Sequence, residues 1–290
     1  MKSLIRVALL LFACLVSTPL LAECRLDALD RLAERSLLHR PARAASDMMP
    51  LVVLLHGSTS DGEHMLRESG LARTADRHGF LVVAPNGGIA AGQGFVWNIP
   101  GVPTVTGSLP PKGARDDVAY LHGLVDRLVA TGCVDGARVY ATGLSGGGRM
   151  TSLLGCRLSG SFAAIAPVVG LRAGRPSEED PAEVDPASCR PAKAIPLLAF
   201  SGDADTTNPI AGGGAPYWRY SQAAALRRWA TLNRCTTAYS HAIDGITYEQ
   251  GYEGCTEGAT VAARVRRRGG HSWSVVDNDA LWAFFSRHHR

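Results

Sequence analysis

The sequence lacks most marks of a specialised class. It has no C-x-x-C pair and no Cys/His spacing suited to zinc, so no metal is expected. It shows no internal repeat, no linker that would set off a second domain, and no stretch like an attached polymer- or carbohydrate-binding module. Only 19% of residues are charged against 46% apolar, an ordinary globular mix that excludes a disordered chain. The formal net charge of +4 implies no nucleic-acid partner. One basic cluster, Arg264, Arg266, Arg267 and Arg268, alternates with Val261 and Val265 and fits the solvated side of a strand. At 290 residues the chain suffices for one large α/β domain with a full core.

What is present begins at the amino terminus. Lys2 and Arg6 precede the apolar run Val7 to Val16, followed by Ser17-Thr18-Pro19-Leu20-Leu21-Ala22. That run is short for a membrane span and is broken by Ser17 and Pro19. The layout is that of a secretory signal peptide over residues 1–22, cleaved after Ala22, with a catalytic domain over 23–290. Its removal takes Lys2 and Arg6 and leaves a net charge of +2. The expected location is secreted or periplasmic, with no membrane association after cleavage. Six cysteines remain, an even number that suits an oxidising compartment. Six allow 15 connectivities. The preferred pairs are Cys235 with Cys255, closing a short polar loop, and Cys156 with Cys189, tying a helix to the excursion beyond it. Cys24 with Cys133 is the remainder.

Periodicity predicts a mostly parallel sheet with helices on both faces. Pro50 to Leu55 is an unbroken apolar run, as in a strand buried on both sides, and Phe80 to Ala84 is a second. An edge strand is expected over Arg35–Pro41, and helices over Glu63–His78, Val118–Ala130, Tyr217–Asn233 and Asp277–Arg287. Further strands are expected at Phe162–Val169, Ile195–Phe200 and Val261–Val265. The segment 87–112 has no period, and 171–193 looks like a surface excursion. Alternation of strands and helices from residue 50 places this chain in the α/β class.

The stretch Arg138 to Met150, RVYATGLSGGGRM, carries the chemistry. Val139-Tyr140-Ala141-Thr142 forms a strand, Gly143-Leu144-Ser145-Gly146-Gly147 a sharp turn, and Arg149 to Leu154 the start of a helix. Serine is a poor nucleophile unless its hydroxyl is held clear of the backbone, near a base, with amide donors where negative charge develops. With 32 glycines in the chain, G-x-S-x-G is by itself a weak signal. The flanking strand and helix give it meaning and mark Ser145 as candidate nucleophile.

Such a serine needs an acid and then a histidine, both downstream on loops at strand ends. Of nine histidines, only His56 and His271 follow buried strands, and His56 precedes Ser145. His271 is therefore the expected base. Asp203 and Asp205 both follow the strand ending at Phe200; Asp205 is preferred for its longer reach, with Asp203 holding the turn. Asp205 would fix the imidazole tautomer, and His271 would take the serine proton and return it to the leaving alcohol. The backbone N–H groups of Gly146 and Ser58 are the expected oxyanion donors, with Thr59 as fallback for the second. Thr59, Trp97 and Trp273 are candidate substrate contacts. Phe95 and Trp97 could equally plug their loop onto the sheet.

Taken together, L-V-V-L-L-H-G at 51–57, D-D-V at 116–118, C-V-D-G-A-R-V-Y-A-T-G-L-S-G-G-G-R-M at 133–150, G-D-A-D at 202–205 and G-G-H-S-W at 269–273 resemble the secreted polyhydroxybutyrate depolymerase and feruloyl esterase family of α/β-hydrolases. The resemblance spans roughly residues 33–286. It implies the α/β-hydrolase fold, a triad of Ser145, Asp205 and His271, oxyanion donors at Ser58 and Gly146, and a Cys235–Cys255 disulfide. Ser58-Thr59-Ser60 stands where family members often have Cys-Thr-Gln, Gly146 where they often have Asn or Ala, and Leu37 where an aromatic is common. These departures bear on substrate preference. The expectation is a monomeric serine ester hydrolase without cofactor, working through an acyl-enzyme on feruloyl or other hydroxycinnamoyl esters, 3-hydroxybutyrate oligomers or polymer, or other short acyl esters. A serine peptidase on the same fold and a non-catalytic binding protein on a hydrolase scaffold are the alternatives.

Overall fold

The computed structural model describes residues 24–33, 37–41 and 48–290. The expected signal peptide lies outside them, as does the start of the expected edge strand. In chain order the elements are α1 (Leu26–Ala33), β1 (Leu38–His39), β2 (Met49–Leu55), α2 (Gly62–Ser69), α3 (Leu71–His78), β3 (Leu81–Val83), β4 (Ile89–Ala91) and β5 (Gly94–Val96). There follow α4 (Asp117–Val129), β6 (Val134–Leu144), α5 (Gly146–Arg157), β7 (Ala164–Val168), β8 (Leu197–Gly202) and α6 (Gln222–Leu232). The chain ends with β9 (Thr237–Ala242), β10 (Thr247–Glu253), β11 (Val261–Arg266) and α7 (Asn278–Phe285).

Nine strands form one sheet in the order β1-β3-β2-β6-β7-β8-β11-β10-β9. The six from β3 to β11 run parallel, and antiparallel strands close both edges. The apolar run of β2 explains the layering. Leu51, Val53 and Leu55 face Leu121 and Leu128 of α4, Met150 of α5 and Trp229 of α6. Val52 and Leu54 face Met65 of α2, Leu71 of α3 and Phe284 of α7 on the other side. Each such side chain, taken from water, contributes roughly 1.5–3 kcal/mol. This is the arrangement of the α/β-hydrolase fold, and it leaves the carboxyl ends of the parallel strands to carry a site.

Five expectations need correction. The helix expected over Glu63–His78 is two, because Gly70 (φ 63) caps the end of α2 and the start of α3 in a left-handed conformation. The helix expected from Tyr217 begins only at Gln222, where Ser221 caps Ala224 N–H. The aperiodic segment 87–112 contains the β4–β5 hairpin. The excursion over 171–193 is not all surface, since Leu171, Arg172, Ala173 and Cys189 are buried. The polar loop between Cys235 and Cys255 is the β9–β10 hairpin.

Disulfides join Cys24 to Cys133, Cys156 to Cys189 and Cys235 to Cys255. Among the described residues no helix is long and apolar enough to cross a membrane.

Candidate active site

β6 delivers Ser145 at φ 54, ψ −110, and α5 starts at the next residue. A non-glycine residue in that region stores roughly 1–3 kcal/mol of strain, which the surroundings must hold in place. They do so by close packing. A Cβ at Gly143 would come within 2.7 Å of Leu55 Cβ, one at Gly148 within 2.7 Å of the Val168 carbonyl, and one at Gly147 would overlap the Leu55 carbonyl. Ser145 N–H donates to Val168 O at 2.9 Å. The half-buried serine thus stands at the start of α5, where backbone N–H groups lack helical partners.

The loops after β8 and β11 lie against each other, because these strands are parallel neighbours and Gly202 has no Cβ to collide with the Gly269 carbonyl. Ala204 N–H donates to Gly269 O at 3.0 Å. Asp203 Oδ1 accepts from Arg268 N–H at 2.6 Å, so its carboxylate clamps the two loops. Asp205 Oδ2 accepts from His271 Nδ1 at 2.7 Å, while its Oδ1 accepts from the Thr207 and Asn208 amides at 2.9 and 2.8 Å.

The Asp205 side chain is only 1% exposed, against 21% for His271. Burial pushes the Asp205 pKa up, but the His271 hydrogen bond and the two amides outweigh it and hold the carboxyl below the ordinary carboxylate range. An ionised Asp205 accepts only, so His271 Nδ1 carries the proton of the neutral ring and Nε2 is left with a lone pair.

Sequence reasoning missed Asn208. Its Nδ2 donates to Val169 O at 2.6 Å, and Val169 sits at φ 42, an uncommon setting for a β-branched residue. A Cβ on the adjacent Gly170 would lie 2.5 Å from Ser145 O. A path of direct contacts therefore runs from the serine elbow through Val169, Gly170 and Asn208 to Asp205 and His271. Among the described residues no hydrogen bond joins the Ser145 hydroxyl to the His271 ring. Such bonds are commonly long or poorly aligned before substrate binds.

On the other side of Ser145 lies the loop after β2. A Cβ on Gly146 would fall 3.1 Å from Ser58 N and collide with Ser58 Oγ, so the two expected oxyanion donors are adjacent. Thr59 N–H donates to Phe95 O at 2.8 Å and is already engaged, which removes the fallback donor. Thr59 itself is exposed, with its hydroxyl donating to Ser58 O at 2.6 Å.

His56 holds this loop from below. Its Nε2 accepts from Gly87 N–H at 2.9 Å, so Nδ1 is the protonated nitrogen and donates to Gly57 O at 2.7 Å. Burial lowers the His56 pKa and favours that neutral form. Trp97 is buried, lies 4.8 Å from the His56 ring and donates its Nε1–H to His56 O at 2.9 Å. It plugs the loop and also walls a small recess shared with Ser58, Gly146 and Arg149. Trp273 is buried in the core, with Nε1–H donating to Asn278 Oδ1 at 3.0 Å, so its indole is engaged inside the fold.

Two arginines near this site were also missed. Arg149, one helical turn after Ser145, and Arg172, just beyond β7, are both buried. A charged residue in the otherwise apolar and small-residue start of α5 was the available signal for the first.

This geometry can be set beside known proteins. The family model described as Esterase PHB depolymerase matches residues 35–182. Feruloyl esterase B of Piromyces equi is 29% identical over 231 residues, covering 77% of this chain and 39% of that protein. Poly(3-hydroxyalkanoate) depolymerase C of Paucimonas lemoignei is 33% identical over 123 residues, 42% of this chain and 28% of the relative. The chain thus spans less than half the length of these curated relatives. Among solved structures, the acetyl xylan esterase from Aspergillus awamori superposes with a TM-score of 0.61 at 15% identity, covering 86% of this chain and 92% of the other, a likeness of fold.

Proposed function

Because this chain belongs to the Esterase PHB depolymerase family, we propose that it hydrolyses carboxylic esters through an acyl-enzyme formed on Ser145. The observation that carries the reading is the 2.7 Å hydrogen bond between His271 Nδ1 and a buried, ionised Asp205. That bond leaves Nε2 free to act as base on a strained serine at a helix start.

In the proposed reaction the Ser145 hydroxyl oxygen attacks the ester carbonyl while His271 Nε2 takes its proton. The N–H groups of Ser58 and Gly146 stabilise the oxyanion. Collapse of the tetrahedral intermediate breaks the bond to the alkoxy oxygen, which leaves as alcohol with the proton from His271. Water then attacks the acyl carbonyl carbon while His271 Nε2 takes its proton; the bond from that carbon to Ser145 Oγ breaks, Oγ takes the proton back from His271, and the carboxylic acid departs. Asp205 stays ionised throughout and stabilises the imidazolium.

The acyl groups favoured are those in the relatives' names and close to them: hydroxycinnamoyl, 3-hydroxyalkanoyl or another short acyl unit. Three disulfides support an oxidising, extracytoplasmic location.

The test is turnover of p-nitrophenyl acetate, followed by a panel of methyl ferulate, hydroxybutyrate oligomers and acetylated sugars. Ser145→Ala should lower kcat by about 10⁴-fold or more while leaving the circular dichroism spectrum unchanged. Retention of most activity in this variant would refute the assignment.

A further inference from the structure

Next to the recess at Ser58 and Gly146, and sharing Arg149, Ile99 and Val102 with it, lies a cavity of about 290 Å³. Its wall carries four arginines, Arg149, Arg157, Arg172 and Arg175, and no acidic side chain among the described residues. Arg157 is exposed, and the charge of Arg175 is met by Asp185 at 3.1 Å. Glu178, Glu179 and Asp185 line an adjoining, more open cleft, which shares Gly101, Val102, Arg175 and Pro176 with the cavity.

Arg149 and Arg172 differ from the other two. They are only 5% and 7% exposed, yet among the described residues neither has a carboxylate within ion-pairing distance. Buried guanidinium groups are ordinarily paired, since water no longer solvates them. Arg149 has one long bond, Nη2 to Ser58 Oγ at 3.3 Å, and lies over the Tyr217 ring at 4.2 Å; its Nε has no partner. Arg172 donates to Leu171 O and Tyr220 O at 2.6 and 2.8 Å and stacks on Trp218 at 3.4 Å, but its Nη2 has no partner. Both pKa values are lowered to about 10, by burial in each case and for Arg172 also by the neighbouring Arg149 charge. Both remain cations at neutral pH. The fold therefore brings two like charges to one cavity, Arg172 held by aromatic faces and carbonyls and Arg149 by the Tyr217 ring and Ser58, with no carboxylate among the described residues to neutralise them.

We propose that this cavity is an anion subsite, in which Arg149 and Arg172 receive a carboxylate carried by the ester substrate. The guanidinium group suits a planar carboxylate better than any other side chain does. Arg149 links the cavity to the reacting centre: it lies one turn along α5 from Ser145 and its Nη2 donates to Ser58 Oγ at 3.3 Å, beside the proposed oxyanion donors. The enzyme would thereby select acid-bearing esters over neutral ones of the same size. That the anion belongs to the substrate rests on the ester hydrolase reading; that the cavity takes an anion does not.

The experiment has a binding arm and a kinetic arm. In the first, calorimetry measures glutarate and its neutral analogue glutaramide against the Ser145→Ala protein. Saturable binding of glutarate alone is expected, weakened at least tenfold when Arg149→Met or Arg172→Met is added. In the second, kcat/KM is compared for mono-p-nitrophenyl glutarate with p-nitrophenyl pentanoate (acid on the acyl side), and for 4-acetoxybenzoate with phenyl acetate (acid on the alcohol side). One acid-bearing ester should exceed its neutral partner at least tenfold, and that ratio should fall toward one in either Met variant and recover in part in Arg172→Lys. Ratios near one in the wild type for both pairs, with no glutarate binding, would overturn the subsite and leave ester hydrolysis standing. Arginine-dependent glutarate binding without turnover of any ester would uphold the anion site and overturn the ester reading instead.

Discussion

Asp203 and Asp205 are two residues apart, yet the fold gives them unlike tasks. Asp203 accepts the Arg268 amide and ties the β8 loop to the β11 loop, whereas Asp205 is shut from water and bonded to the imidazole. Asp205→Asn should leave the backbone in place but present His271 with the wrong tautomer, lowering kcat by about 10⁴-fold with little change in KM. Asp203→Asn should cost stability first, seen as a lower midpoint in urea, with most turnover retained; loss of turnover in Asp203→Asn alone would reverse the assignment. In the sequence Asp205 is favoured by its longer reach and by the space that Gly202 and Ala204 leave for the turn. The buried arginines were harder to read, because by composition an arginine belongs on the surface; the small and apolar neighbours of Arg149 in α5 were a signal, whereas for Arg172 only three-dimensional packing shows that it faces inward.

At the scale of elements, the legible parts were those with one dominant signal. The apolar run of β2 and the strand–turn–helix of β6 and α5 are written in consecutive residues. The α2–α3 break was not, since an interior glycine lowers helix stability by only about 1 kcal/mol and Gly70 interrupts no period. Nor was the β9–β10 hairpin, because β9 is mostly exposed on both faces and shows no apolar alternation. His56 follows a buried strand as His271 does, but its two ring nitrogens are spent on Gly87 and Gly57, making it the strut of the loop that carries Ser58. His56→Leu would leave the buried Gly87 N–H unpaired, destabilising the fold by about 1–3 kcal/mol. It should also lower kcat more than it raises KM, since the Ser58 amide loses its support. Unaltered kcat together with a normal denaturation midpoint would show that the loop stands without it.

At the scale of the whole molecule, the carboxyl-terminal residues pack back onto the sheet and make stability depend on pH. His288 lies edge-on to Phe284, and burial, helped by Arg287 and His289, pushes its pKa down to about 4. In the unfolded chain the same ring protonates near its ordinary value of about 6.5. The unfolded state thus binds the extra proton first as pH falls. The resulting loss of stability is absent above about 6.5, grows below it, and is complete once the folded ring protonates near 4. Thermal midpoints recorded from pH 7 to 4.5 should drop less steeply in His288→Gln than in the wild type; parallel curves would contradict this. The proposed mechanism makes one demand of this fold, that the hydroxyl of Ser145 be a nucleophile while other serines are not. The most direct measurement is labelling of the native protein with a fluorophosphonate, followed by peptide mass mapping. The account predicts one equivalent of label per chain, on Ser145, abolished in Ser145→Ala and strongly slowed in His271→Ala. Absence of label, or stoichiometric label at another serine, would contradict it.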